Sequence, residues 1–207
     1  SLRNNGFISM VRVRVVKQYS LIYADPPWTF KTYNNSIESQ SKSPSRHYDT
    51  LSIEEISLFP VSKWTHKDAL LAMWVYDPLI PEALSVAQDW GFKYVTVLFR
   101  WLKTQDDQTD LFNEPPKLKF GTGYHTRGGG CEEVFLFKKG KGLPVLNHNT
   151  RKEFYSKRRE HSRKPDAIRQ WLVDLYGDVP RLEIFARTQT EGWDVFGNET
   201  NKFNSCP

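Results

Sequence analysis

A short uncharged run, Ser20-Leu21-Ile22-Tyr23-Ala24, breaks off on Asp25-Pro26-Pro27-Trp28, and no other feature limits the fold of this chain as sharply. Such a run suits a strand covered on both faces, which is how a sheet flanked by helices is built. The two prolines stop the strand, since neither carries an N–H for the next ladder bond. Asp25 is therefore delivered to the carboxyl edge of a buried strand, where open α/β sheets bind ligands. The residues there suit a particular task. A carboxylate accepts one N–H of an amine, a neighbouring carbonyl accepts the second, and an indole offers a flat surface for a ring. Drawing both amine hydrogens toward acceptors loosens the conjugation of the nitrogen lone pair with an aromatic ring, so a weak nucleophile becomes usable. The set fits the exocyclic amine of a nucleobase. Asp-Pro-Pro also opens ordinary turns, and Pro-Pro beside an aromatic also makes a stiff packed loop. The strand in front of it favours a site.

With 207 residues, 39% of them hydrophobic, the chain suits one domain with a core of its own. No apolar stretch approaches a membrane span, so no membrane partner is expected. Residues 1–10 lack the pattern of a secretory signal; Met10 reads as a candidate start, with residues 1–9 an upstream remnant and residues 10–207 the domain. Cys131 and Cys206 are too few for a disulfide framework and are not spaced for zinc, which points to a reducing, cytoplasmic setting. The formal charge of +5 is concentrated between Arg151 and Arg169, where Lys157, Arg158 and Arg159 stand together. Such a segment is either a solvated loop or a surface along phosphates, and Phe154, Tyr155 and His161 within it favour nucleic acid.

Along the chain, Val11–Val16 alternates like a half-exposed strand, and Leu21–Ala24 reads as the central one. Thr29–Asp49 is a long polar loop directly after the motif. Ser52 with Glu55 predicts a capped short helix ending near Pro60. Ala69–Val75 is a strand, Leu84, Ala87 and Trp90 mark a helix stopped by Gly91, and Tyr94–Leu102 is a further strand. Lys103–Lys119 reads as a mobile loop, Gly121–Gly130 as glycine-rich chain, and Glu133–Lys138 as a strand. A helix is predicted over Pro165–Tyr176 with Gly177 after it, then a strand over Arg181–Ala186 and a closing segment Gly192–Glu199. The alternation predicts one mostly parallel α/β sheet with helices on both faces.

Several segments then resemble, in order, the mRNA adenosine methyltransferase-like branch of the β-class N6-adenine methyltransferases. Asp25-Pro26-Pro27-Trp28 is similar to its amine-binding motif, and Tyr48-Asp49-Thr50-Leu51 with Glu54-Glu55 to its tyrosine segment. Gly121–Glu133 resembles its glycine, aromatic and arginine stretch, and His161–Asp166 the Lys-Pro segment before a helix. Leu182–Arg187 through Gly192–Glu199 resembles the terminal strand and cofactor loop, so the likeness runs from about Tyr19 to Glu199. The chain departs from the pattern at His125, where tryptophan is usual, and at Thr188-Gln189-Thr190, which is more like bacterial and phage members.

The resemblance implies a Rossmann-like methyltransferase using S-adenosylmethionine, with the amine-binding strand ahead of the cofactor-binding strand. It implies a cofactor set of Asp25, Lys164, Arg187, Gln189, Asn198 and Glu199, catalysis by Asp25, Pro26, Pro27 and Trp28, and substrate contacts from Tyr48, Tyr124, Arg127, Lys157, Arg158 and Arg159. Lys164 also suits a plain helix start, Asn198 a turn, Tyr48 a core position, and Glu183 with Arg187 a structural ion pair, the reading preferred for Glu183. Direct in-line transfer to the N6 amine of adenine in DNA is the expected reaction, with no metal required and with the protein a monomer or homodimer. RNA as substrate, or a noncatalytic nucleic-acid-binding partner subunit, are the alternatives.

Overall fold

The computed structural model describes residues 17–28, 51–105, 118, 121–122, 125, 127–128, 130–159 and 163–197. The predicted strand Val11–Val16, the loop Thr29–Asp49 and most of the predicted loop Lys103–Lys119 lie outside them. The main sheet holds β1 (Tyr19–Ala24), β2 (Thr65–Val75), β3 (Lys93–Thr104), β6 (Cys131–Lys139), β7 (Glu153–Lys157), β8 (Arg181–Ile184) and β9 (Asp194–Phe196). Its order is β7-β3-β6-β2-β1-β8-β9, and a small separate ribbon pairs β4 (Gly121–Thr122) with β5 (Arg127–Gly128). Within the main sheet only β6 runs against its neighbours; β1 lies parallel between β2 and β8. The mostly parallel Rossmann-like sheet expected from the sequence is the one observed.

Side-chain alternation divides the core between the two faces. Ile22, Ala24, Leu71 and Met73 pack toward α1 (Ile53–Ser57), α2 (Val61–Trp64) and α3 (Ile80–Asp89) through Ile56, Val61, Ala83 and Val86. Leu21, Tyr23, Ala72 and Trp74 pack toward α4 (Ala167–Tyr176) through Ile168, Leu172 and Leu175. The predicted cap of α1 is present in both directions: Ser52 Oγ accepts from the Glu55 amide at 3.1 Å, and the Glu55 carboxylate accepts from the Ser52 amide at 2.8 Å. Gly177 ends α4 at φ +82°, a conformation that L side chains avoid. Among the described residues no helix is long and apolar enough to cross a membrane.

Two expectations are corrected. The basic segment is not simply a loop, because Glu153–Lys157 forms β7 on the end of β3, with Phe154 turned inward against the Trp171 ring at 4.8 Å. Its charged outward residues hide the period of two. Lys103 and Thr104 likewise belong to β3, paired with Ser156 and Lys157, and not to a loop.

The register brings one rim of the sheet level. Ala24 stands beside Met73 and Ile184, Val75 beside Glu133, Leu102 beside Cys131, and Lys103 beside Ser156. The carboxyl ends of β1, β2, β3, β7 and β8 therefore meet the start of β6.

Candidate active site

On the α4 face, that rim carries a row of aromatic rings, each covered by a cation. Trp101 on β3, Trp74 on β2 and Tyr23 on β1 are fully buried, and Trp193 lies against Tyr23 at a centroid distance of 6.0 Å. Trp74 and Trp101 meet edge to face at 6.1 Å, Trp74 Nε1 donates to the Tyr23 hydroxyl at 2.6 Å, and Trp101 Nε1 donates to the Ser156 carbonyl at 3.0 Å. Lys103 Nζ sits 5.0 Å from the Trp101 ring centre and Lys164 Nζ 5.3 Å from that of Trp74. The Arg169 guanidinium sits 5.5 Å from the Tyr23 ring and that of Arg181 5.7 Å from the Trp193 ring.

Acids stand between these cations. Alternation along β6 puts Glu132 on the face of Val134 and Leu136, where one of its oxygens takes Lys103 and the other, Oε2, takes Lys164 at 2.5 Å. Lys164 Nζ also lies 3.6 Å from Asp25 Oδ1, so it forms an ion pair with a carboxylate on either side. On the far side of Asp25, Glu183 receives both arms of Arg169, Nε at 2.7 Å and Nη2 at 2.6 Å. The expected Glu183–Arg187 pairing does not form: β8 ends at Ile184 and the chain turns at Phe185, while α4 brings Arg169 onto both oxygens of Glu183.

The charge pattern tunes the row. Burial pushes the Asp25 carboxyl above the usual aspartate range, and Lys164 and Arg187 only partly offset this. Burial works against the Lys164 charge, yet Asp25 and Glu132 outweigh it and hold the ammonium above the usual lysine value. Glu132 is the converse: burial disfavours its charge, and Lys164 with Lys103 keep it below the usual glutamate range. The result is a firmly charged Glu132–Lys164 pair beside a more basic than usual aspartate.

A small, open hollow begins at this point, lined by Tyr23, Asp25, Lys164, Glu183, Phe185 and Arg187 among others. A second, more open hollow of about 330 Å³ shares Arg163, Asp166, Arg169 and Thr188 with it and continues past Gln189 to Glu191. The chain turns into this wall through Phe185 at φ +62°, a strained setting for a bulky residue. Its ring is braced by Phe59 at 5.1 Å, and the Ala186 amide donates to the Phe196 carbonyl at 3.1 Å. A Cβ on Gly197 would lie 2.4 Å from the Ala186 carbonyl oxygen, so glycine is what lets the two backbones touch.

The half-buried Asp25 carboxylate thus stands beside the Lys164 ammonium at the carboxyl end of the central strand and opens on the hollow, where the sequence placed an amine acceptor. The MT-A70 family model matches residues 19–199. The chain belongs to the MT-A70 family. It is 32% identical over 197 residues to the type II methyltransferase M.MunI of Mycoplasma sp, an alignment covering 88% of this chain and 78% of that protein. It is 28% identical over 214 residues to the N6-methyladenosine RNA methyltransferase MTA1 of Cryphonectria parasitica, covering 96% of this chain and 57% of the other. A probable N(6)-adenosine-methyltransferase MT-A70-like protein of Oryza sativa subsp. japonica is 26% identical over 200 residues, 95% of this chain but only 25% of the rice protein.

Of the residues that the MT-A70 resemblance singled out, the fold brings Asp25, Lys164 and Arg187 together in the first hollow and puts Gln189 in the second. Pro26 and Pro27 follow Asp25, and their carbonyls accept the amides of Trp28 at 2.9 Å and Leu51 at 3.1 Å, each keeping one lone pair. Trp28 lies in the core with Leu51 and Ile56, and its indole nitrogen has no hydrogen-bond partner among the described residues. Arg159 bonds Asp166 at 2.5 Å beside Arg163 at 3.0 Å, while Lys157 and Arg158 are exposed. Tyr48, Tyr124, Asn198 and Glu199 lie outside the described residues, and Arg127 is described only in its backbone, as part of β5.

Four residues at the centre went unread in the sequence: Tyr23, Lys103, Glu132 and Arg169. The signal for Glu132 was present, because a charge two and four residues before buried Val134 and Leu136 in one strand faces the same side as they do.

Proposed function

We propose that the chain is an S-adenosylmethionine-dependent methyltransferase that modifies the N6 amine of adenine in DNA. The observation that carries this reading is the Asp25 carboxylate, set at the rim of β1 next to Lys164 and facing a hollow. The donor set fits the cofactor's zwitterionic end: Asp25 would take its ammonium group, while Lys164 would take its carboxylate. Of the three donors on Lys164, Glu132 takes one, which leaves capacity toward the hollow. Arg187, Gln189, Asn198 and Glu199 would hold the ribose and adenine end. When bound, the cofactor supplies an electrophilic methyl on a sulfonium, so the protein's work is positioning and charge.

On this reading Asp25 and the carbonyl of Pro26 or Pro27 accept the two hydrogens of the target amine, and the departing proton leaves through Asp25 or water. The raised basicity of Asp25 suits it to that acceptance. Lys157, Arg158 and Arg159 line the approach for phosphates. In a duplex the base has to leave the stack before it reaches Asp25. The likeness to a fungal enzyme named for RNA supports adenosine in RNA as the second reading. Mass analysis of nucleosides from DNA and RNA of a methylation-free host expressing the protein separates the two. N6-methyladenine in DNA is expected, and its appearance in RNA alone moves the substrate. Calorimetry with S-adenosylmethionine excludes a noncatalytic partner subunit if heat of binding is seen.

A further inference from the structure

Lys103 lies on β3, with β6 and β2 between it and β1, and nothing in its immediate surroundings ties it to a ligand. It is nevertheless only 13% exposed, close to the 14% of Lys164. The two lysines hold matching stations, each above one tryptophan of the edge-to-face pair Trp101–Trp74, and each on a different oxygen of Glu132. The Lys103 amide also donates to the Gly130 carbonyl at 2.5 Å, so the lysine is tied to the chain two residues ahead of the glutamate it pairs with. Read along the rim, the charges alternate: Lys103, Glu132, Lys164, Asp25. In such a chain, moving the first charge shifts the balance at the last.

We propose that Lys103 is a positioning residue of this site, acting through Glu132 to set where the Lys164 ammonium rests between Glu132 and Asp25. With Lys103 present, half of the Glu132 carboxylate is already satisfied, and Lys164 is shared with Asp25. Without it, Glu132 is a desolvated carboxylate with a single cation, and it draws Lys164 toward itself. Asp25 then loses part of the positive charge beside it. The groups facing Asp25 are Lys164 ahead of α4, Glu132 on β6, Arg187 after β8, Glu183 on β8 and Tyr23 below it on β1; Lys103 reaches it only through the first two. The proposal rests on Asp25 being the amine acceptor for its consequence in turnover, but not for its consequence in charge.

The test is a double-mutant cycle of Lys103→Met and Glu132→Gln, with Lys103→Arg as the conservative variant. Two readouts are taken: the Asp25 side-chain carboxyl carbon followed by 13C NMR during an acid titration, and kcat and KM for S-adenosylmethionine. Lys103→Met is expected to move the Asp25 titration to higher pH, lower kcat by about tenfold, and leave the melting temperature nearly unchanged. Lys103→Arg should return both readouts toward wild type. In the Glu132→Gln background, Lys103→Met should add nothing further. An Asp25 titration that stays in place in Lys103→Met, or an equal effect of Lys103→Met with and without Glu132, overturns the proposal. If Lys103→Met alone does not fold, Lys103→Met/Glu132→Gln, which removes both charges, is compared with Glu132→Gln by the same NMR readout, and any difference there overturns it. The titration decides even if the wild type transfers no methyl group, an outcome that would count against the proposed function and not against the positioning role.

Discussion

Glu132 and Glu133 are neighbours in the chain and equally exposed, at 17% each, yet they lie on opposite faces of the sheet and have different work. Glu133 faces away from α4 and pairs with Arg100 at 2.6 Å, whose side chain is 45% exposed. Glu132 faces α4 and sits between two nearly buried lysines, one of which touches Asp25. An ion pair with a solvated partner contributes little, because water competes for both charges. One with buried partners fixes geometry, and losing one member leaves an uncompensated charge. The same contrast holds for the two faces as a whole. The α1–α3 face is packed by residues such as Ile22, Leu71, Met73 and Val86, while the α4 face threads charge through aromatic rings next to the hollow.

Breaking the inward side should have the largest effect. Glu132→Gln is expected to lower the rate of methyl transfer by about a hundredfold or more, because Lys164 loses its anchor; steady-state kinetics with S-adenosylmethionine and DNA measures it. Next is stability: Glu183→Ala leaves Arg169 buried without its bidentate partner and should cost about 3–5 kcal/mol in urea unfolding. On the apolar face, Leu71→Ala should cost a comparable ~2–5 kcal/mol while leaving the Asp25 titration in place, which separates packing from site electrostatics. Smallest of all, Glu133→Gln should change stability by less than about 0.5 kcal/mol and leave turnover at the wild-type level. A large loss of activity from Glu133→Gln would erase the distinction between the faces.

Two pH effects sharpen the same picture with opposite signs. Asp25 is held above the usual aspartate range, so turnover should fall as pH drops through that raised value, and the acid limb of the rate profile should begin above the ordinary carboxylate region. Asp166 is held below its usual range, because its hydrogen bond from Arg159 and the charges of Arg159, Arg163 and Arg169 outweigh burial. Its contribution to stability is fully present above the unfolded value of about 3.9 and is lost as pH falls toward the depressed folded value. Asp166→Asn should therefore flatten the melting temperature between neutral and acid pH, by a small amount since Asp166 is 50% exposed.

Legibility in the sequence followed the reach of each interaction. The central strand, the Ser52–Glu55 cap and the Gly177 stop were readable because each depends on residues a few positions apart. Asp25 and Lys164 were readable as separate motifs, but their meeting was not, since they stand 139 positions apart in the chain. Glu132 and Lys103 were missed because their importance comes from strand order, with β6 inserted antiparallel between β2 and β3. β7 was missed because its outward charges conceal its inward Phe154 and Ser156. Arg169 escaped because it lies within a predicted helix whose pattern says which face is apolar, and not that one arginine of that helix reaches over β8.

The direct test of the whole account is the transfer of a labelled methyl group from S-adenosylmethionine to DNA by the wild type and by Asp25→Ala, with the variant's fold checked by circular dichroism. The account predicts N6-methyladenine from the wild type and none from the folded variant. Wild-type turnover in Asp25→Ala would contradict it.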